Sequence, residues 1–232
     1  MSALLLHGFS RDGGMWRPLF EGAAPDLPGH SGAPAPAHDF EHVVDALAGL
    51  VAPPFGLIGY SMGARLALCL AIRHPGKVRW LVLDGASLGL EHEAERAARC
   101  AHDAKWAELL RTRGIEVFAA EWEAQALFGG ANRAPERTRH DPFALATALE
   151  LLGKGRMPWL GDGAASVRCP VLLVNGDRDA RGLAEAERVA ERIPHARRCR
   201  LPGHHAVHLE APAAWRARVQ SFVEANSLEA PA

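Results

Sequence analysis

The sequence predicts an α/β fold in which a mostly parallel sheet carries helices on both faces and accepts a helical cap insertion. Short apolar runs alternate with longer amphipathic stretches, the pattern of strands joined by crossover helices. One long interval breaks that alternation without a convincing strand. A third observation is the pentapeptide Gly59-Tyr60-Ser61-Met62-Gly63, which stands where an apolar strand gives way to an apolar helix.

The runs Ala3 to Leu6, Phe55 to Ile58, Trp80 to Leu83 and Val171 to Val174 read as buried strands, with a weaker strand at Arg198 to Leu201. Between them Asp39 to Leu50, Met62 to His74, Leu183 to Arg192 and Ala213 to Ala225 read as helices. His74-Pro75-Gly76 closes the second of these, as proline and glycine beyond a last turn should. Residues 88–167 hold only helical stretches, such as Glu91 to Arg111 and Val117 to Leu127. An insertion after a strand of such a sheet emerges at the carboxyl edge, where ligands bind, so this segment is expected to be a cap. The core is then 1–87 and 168–232, with fraying expected after Asn226.

A chain of 232 residues suits one α/β domain with an insertion. Its formal net charge of −1 provides no global field for nucleic acid or an anionic membrane, and neither is expected as a partner. The basic residues are mostly arginine: 26 in all, less Lys77, Lys105 and Lys154, leaves 23. Cys69, Cys100, Cys169 and Cys199 form no close pair and read as reduced thiols. The amino-terminal segment has no basic region and too short an apolar run for a secretory signal, so a cytoplasmic protein is expected, a monomer or weak homo-oligomer.

A serine on a sharp strand-to-helix turn projects its hydroxyl at the top of a sheet, and the flanking glycines let the two elements cross. Such a hydroxyl needs an imidazole to accept its proton and a carboxylate to orient the imidazole. In folds of this kind the order is Ser, Asp or Glu, then His. Val171 to Val174 runs into Asn175-Gly176-Asp177-Arg178-Asp179, which puts Asp179 at the carboxyl edge with Asp177 as its near rival. The imidazole must come from His204, His205 or His208, in the loop before the last helix. No matching carboxylate or thiolate set accompanies them, so no metal is expected. The backbone amides of Phe9, after the first strand, and of Met62, opening the helix, are the expected oxyanion donors.

Arg65 lies one helical turn after Ser61 in an otherwise apolar helix. A buried guanidinium must meet either a protein carboxylate or a ligand anion, and the local sequence leaves both readings open.

At this point the chain resembles the 2-succinyl-6-hydroxy-2,4-cyclohexadiene-1-carboxylate synthase branch of the α/β-hydrolase fold, a family of menaquinone biosynthesis. The resemblance covers nearly the whole length. It rests on Leu6-His7-Gly8-Phe9, Asp26-Leu27-Pro28-Gly29-His30, Gly59 to Arg65 and Asp84-Gly85-Ala86-Ser87-Leu88-Gly89-Leu90. It continues into the cap through Glu95-Arg96-Ala97-Ala98-Arg99 and Phe118-Ala119-Ala120-Glu121-Trp122. It implies Ser61, Asp179 and His205 as the catalytic triad. It also implies a substrate site lined by Tyr60, Arg65, Arg99, Trp122 and Arg137, with Arg139 as the rival of Arg137.

The implied reaction removes a proton from a cyclohexene carrying several carboxylates, 2-succinyl-5-enolpyruvyl-6-hydroxy-3-cyclohexene-1-carboxylate, and eliminates pyruvate, with no metal or other cofactor required. Planar guanidinium forks match such a polycarboxylate substrate. The alternative is a small-molecule serine hydrolase of esters or C–C bonds, which would use the same triad. The chain departs from the family at His204 (commonly glycine), at Arg181-Gly182 (commonly Lys-Phe) and at Met157 (frequently glutamine). It also begins at the strand before His7, without the hairpin that opens many of these folds.

Overall fold

The computed structural model describes residues 2–130 and 133–227; the last five residues, where fraying was expected, lie outside the described residues. Five strands, β1 (Ala3–Leu6), β2 (Phe55–Tyr60), β3 (Val78–Asp84), β4 (Val171–Gly176) and β5 (Arg197–Leu201), form one sheet in chain order. Every neighbouring pair is parallel. Helix α1 (Phe40–Leu47) precedes β2, α2 (Met62–Arg73) joins β2 to β3, and α6 (Ala180–Arg192) joins β4 to β5. Between β3 and β4 come α3 (Glu93–Glu123), α4 (Pro142–Leu152) and the single turn α5 (Gly161–Ala164). After β5, the short α7 (Val207–Glu210) leads into α8 (Pro212–Ser227).

The period of two along each strand builds two cores. Leu4, Leu6, Leu57, Leu81, Leu83 and Leu173 face α1, α2 and α6 on one side. Leu5, Ile58, Trp80, Val82 and Val174 face Trp16 and the buried Trp215, Val219 and Phe222 of α8 on the other. Because β1 to β4 are covered on both faces, their central residues form apolar runs rather than alternating. Gly56 interrupts that run because the Trp80 ring fills the space a side chain would need.

The two edges are finished differently. Outside β1, the Leu5 amide donates to Ala23 O at 2.9 Å and the Ala23 amide to Ala3 O at 2.8 Å, so a parallel bridge closes that side. Strand β5 is the other edge, with Arg197, Arg198 and Arg200 exposed.

No strand occurs between β3 and β4 among the described residues. The two helices expected there are one long element, α3, broken at Gly114, whose φ of 81° and ψ of 177° are non-helical. Arg111 holds α3 to α4 through a bidentate pair with Glu150, both bonds 2.6 Å. Helix α1 ends three residues before the expected Leu50, where Ala48 caps it and Gly49 follows. Among the described residues no helix is long and apolar enough to cross a membrane.

One buried histidine fastens the loop after β1. His7 Nε2 accepts the Leu27 amide at 2.9 Å, so the proton resides on Nδ1, which donates to Gly8 O at 2.8 Å. Burial holds the His7 pKa down at about 4, and burial lowers the neighbouring His30, whose ring centroid lies 4.9 Å away, in the same direction. The folded chain therefore refuses protons that the unfolded chain takes up below about 6.5. Stability should be full above that pH and fall as pH drops toward 4, with His7 alone costing about 3 kcal/mol across the window. Urea midpoints measured from pH 7 to pH 4 check this, and a flat profile would contradict it.

Candidate active site

Strand β2 and helix α2 meet at Ser61, which is held at φ 50° and ψ −106°, a conformation that non-glycine residues rarely adopt. The Ser61 amide donates to Asp84 O at 2.8 Å, tying the turn to the end of β3. The glycines on either side have separate reasons. A Cβ on Gly59 would collide with the Gly63 carbonyl, and one on Gly63 with the Leu6 carbonyl of β1. The backbone of α2 thus lies directly against two strand ends.

At the carboxyl end of β4, Asp179 caps α6: its Oδ1 accepts the Gly182 amide at 2.8 Å. Its Oδ2 lies 2.8 Å from His205 Nδ1, and His205 Nε2 lies 2.9 Å from Ser61 Oγ. Ser61, His205 and Asp179 are therefore one hydrogen-bonded relay. Burial alone would raise the Asp179 pKa, but the His205 hydrogen bond, the His205 field and the Gly182 amide together bring it below its ordinary value. The rival Asp177 points elsewhere and accepts the Gly203 amide at 3.0 Å, bracing the histidine loop.

The three histidines of that loop do not converge, because each has its own carboxylate. His204 Nδ1 is 3.1 Å from Glu210, and His208 Nδ1, fully buried, is 2.9 Å from Asp84. Among the described residues no group of three or more His, Cys, Asp or Glu side chains is placed to hold a metal ion.

Phe9 and Met62 both border the cavity over Ser61. Among the described residues neither amide donates to a protein acceptor, which leaves both for an oxygen in the cavity. The Phe9 ring packs edge-on against Trp122 at 5.2 Å, so the cap's aromatic cluster rests on the loop that carries the amide.

That cavity, about 170 Å³, is bordered by Ser61, Asp179 and His205, by Arg65, Arg99 and Trp122, and by residues the sequence reading did not select, among them Lys154, Arg181 and Glu185. Arg65 is buried in the wall of this cavity. No carboxylate among the described residues lies within ion-pair distance of it; its Nη1 has only Leu152 O at 3.4 Å and Met157 Sδ at 3.7 Å. Burial first, then the like charge of Arg99, lowers its pKa to about 9. Arg99 pairs through Nε with the buried Asp103 at 2.8 Å and is itself half-buried.

Two expected substrate residues do not border the cavity. Tyr60 is buried behind it, its ring 5.5 Å from His205 and 4.3 Å from His208, where it backs the histidine loop. Arg137 is buried with Glu123, its Nε 2.7 Å from Oε2, and its Nη1 reaches Ser10 Oγ and Phe9 O. It braces the Phe9 loop from below. Arg139, its rival, is exposed near Asp12 at 3.6 Å. Nothing in the spacing of Arg137 could have revealed Glu123, which is buried only because the cap folds over the loop.

The departures have local explanations. The His204 ring lies against the backbone of Gly129, away from Ser61. Gly182 leaves room for Asp179 Oδ2 as that carboxylate is seated here. Met157 puts a thioether, a weak acceptor, beside Arg65.

A family profile described as "Alpha/beta hydrolase family" matches residues 3–218. A relative from Salmonella heidelberg (strain SL476), named 2-succinyl-6-hydroxy-2,4-cyclohexadiene-1-carboxylate synthase, is 31% identical over 229 residues, covering 91% of this chain and 89% of its own. A Bacillus subtilis (strain 168) relative, provisionally given the same name, is 34% identical over 177 residues, 72% of this chain but 65% of the relative, just under two thirds of its length. The solved structure of MenH from S. aureus superposes with a TM-score of 0.90 at 25% identity, covering 98% of this chain and 94% of that one. The chain belongs to the Alpha/beta hydrolase family and, within it, to the family of the 2-succinyl-6-hydroxy-2,4-cyclohexadiene-1-carboxylate synthases.

Proposed function

We propose that the protein is a carbon–oxygen lyase of menaquinone biosynthesis that eliminates pyruvate from 2-succinyl-5-enolpyruvyl-6-hydroxy-3-cyclohexene-1-carboxylate in the cytoplasm. The observation that carries this reading is Arg65: a buried guanidinium beside the Ser61 relay, facing a cavity and lacking a carboxylate of its own. A ligand carboxylate would supply what the fold does not. Residues 88–167 act as the cap that brings Arg99 and Trp122 over the same cavity.

In this reading Ser61 is a base. Its oxygen takes a ring C–H proton while its own proton moves to His205 Nε2, and Asp179 stabilises the imidazolium. The negative charge left on the conjugated carbonyl oxygen is met by the Phe9 and Met62 amides. The C–O bond to the enolpyruvyl group then breaks, and the departing oxygen recovers the proton from His205, giving enolpyruvate, which becomes pyruvate. One proton leaves carbon and one arrives on the leaving group; no water and no acyl-enzyme take part.

A second reading is favoured by the relay itself, which equally suits a serine hydrolase of small esters or C–C bonds. The two differ in what the cations do. For the lyase, pyruvate should be released in step with the change in ultraviolet absorbance of the diene product, and Ser61→Ala should lower kcat by about three to four orders of magnitude. Arg65→Ala should cost about 10- to 100-fold in kcat/KM for the polycarboxylate, the worth of a charged hydrogen bond. Rapid p-nitrophenyl acetate hydrolysis, indifferent to Arg65→Ala and without pyruvate release, would select the hydrolase. Asp179→Asn should slow labelling of Ser61 by a fluorophosphonate about a hundredfold or more, since the orienting carboxylate is worth at least that. An unchanged labelling rate would remove Asp179 from the relay.

A further inference from the structure

With Arg137 enclosed by Glu123 and the Phe9 loop, the cavity has lost one of the arginines that resemblance assigned to it. A different cation stands in its wall. Lys154, in the turn after α4, is 6% exposed and borders the cavity together with Arg65 and Arg99. Its Nζ donates to Glu185 Oε1 at 2.7 Å, and Glu185 Oε2 accepts Ser87 Oγ–H at 2.8 Å. Glu185 is thus occupied on both oxygens and fixed in place. Lys154 is not used up: an ammonium has three donors, and among the described residues one has an acceptor.

The charges around the cavity are unequal. Arg65, Arg99, Lys154 and Arg181 face two carboxylates, Asp179 and Glu185, of which the first is committed to His205. Burial, opposed by the field of Glu185, leaves Lys154 with a pKa of about 8, and Arg65 and Arg181 press on it as like charges. Cations that repel one another in a buried wall are stabilised together by an anion placed among them.

We propose that Lys154 is a substrate-recognition cation of this cavity, positioned by Glu185 and Ser87, that completes with Arg65 and Arg99 a set of three for a tricarboxylate ligand. This rests on the polycarboxylate reading of the site, and it assigns selectivity to a residue on which the triad does not depend. Glu185 acts as a permanent tether, setting where the ammonium stands without filling its remaining valences.

The test is calorimetric binding of two probes that undergo no reaction, succinate and propane-1,2,3-tricarboxylate, at fixed ionic strength. The unmodified protein should bind the tricarboxylate more tightly, and Lys154→Met should cut that preference about tenfold, the equivalent of one ordinary charged contact. Lys154→Arg should retain most of it. Glu185→Gln, which removes the field that keeps the buried ammonium charged and weakens its tether, should reduce the preference as well. The proposal is overturned if Lys154→Met lowers the melting temperature with the preference unchanged, or if the unmodified protein does not prefer the tricarboxylate. Because the probes are not turned over, absence of pyruvate release would reject the lyase reaction separately, and unchanged selectivity would reject Lys154 even where pyruvate is released.

Discussion

The position of every group around the cavity is set by one close crossing, that of α2 over the ends of β1 and β2. Gly63 lies against the Leu6 carbonyl and Gly59 against Gly63, so neither can carry a side chain without moving the helix away from the sheet. The left-handed backbone of Ser61 is the geometric result, and its cost is of the order of 1–3 kcal/mol. The rest of the fold holds that conformation in place. Asp84 accepts the Ser61 amide with its backbone oxygen, while its carboxylate accepts the Trp215 indole and contacts His208, tying the turn to α7 and α8. Gly85, at φ 68°, leaves room for His205, whose ring would lie 2.7 Å from a Cβ there. The hydroxyl, the imidazole and the Phe9 loop are thus referred to a single contact.

Much of this was legible because local chemistry and fold coincide there. The strand-to-helix pentapeptide, the Asp179 turn and the apolar strand runs each require particular residue types, and the strands extend beyond the expected limits by only one or two residues, at the carboxyl ends of β2 and β4, at both ends of β3 and at the start of β5. The cap was less legible. The stretches Glu91 to Arg111 and Val117 to Leu127 read as separate helices, whereas they form one element with a break at Gly114. The arginines were the least legible, because the partner of a charged side chain is a long-range property. Arg65 and Arg137 are both buried, yet one faces a cavity and the other faces Glu123, separated from it by 14 residues of chain. Lys154 was missed for the same reason, since neither Glu185 nor Ser87 is near it in sequence.

A nearly neutral chain can still present a strongly cationic interior surface, and this one separates the two scales. The cations near Ser61 are offset elsewhere by surface carboxylates, as when Arg73 is held by Glu41 and Asp45. Such exposed pairs contribute little to stability. Where solvent is excluded, the same charges act over a lower dielectric and shift one another's protonation, as Arg65 and Lys154 show. The thioether of Met157 sharpens the effect at Arg65, because it packs well and accepts hydrogen bonds poorly.

The sheet's last strand has a consequence for how copies of the molecule meet one another. An unpaired strand edge is a template for recruiting another chain, and the bridge at Ala23 removes that hazard beside β1. Among the described residues nothing comparable covers the backbone beside β5, but Arg197, Arg198 and Arg200 project along it, with Glu187 close to two of them. A second β5 approaching in register would bring three more guanidinium groups against these. The arginine surplus of the sequence therefore has a use remote from the cavity: it works as a gatekeeper against strand-to-strand aggregation at the sheet's exposed margin.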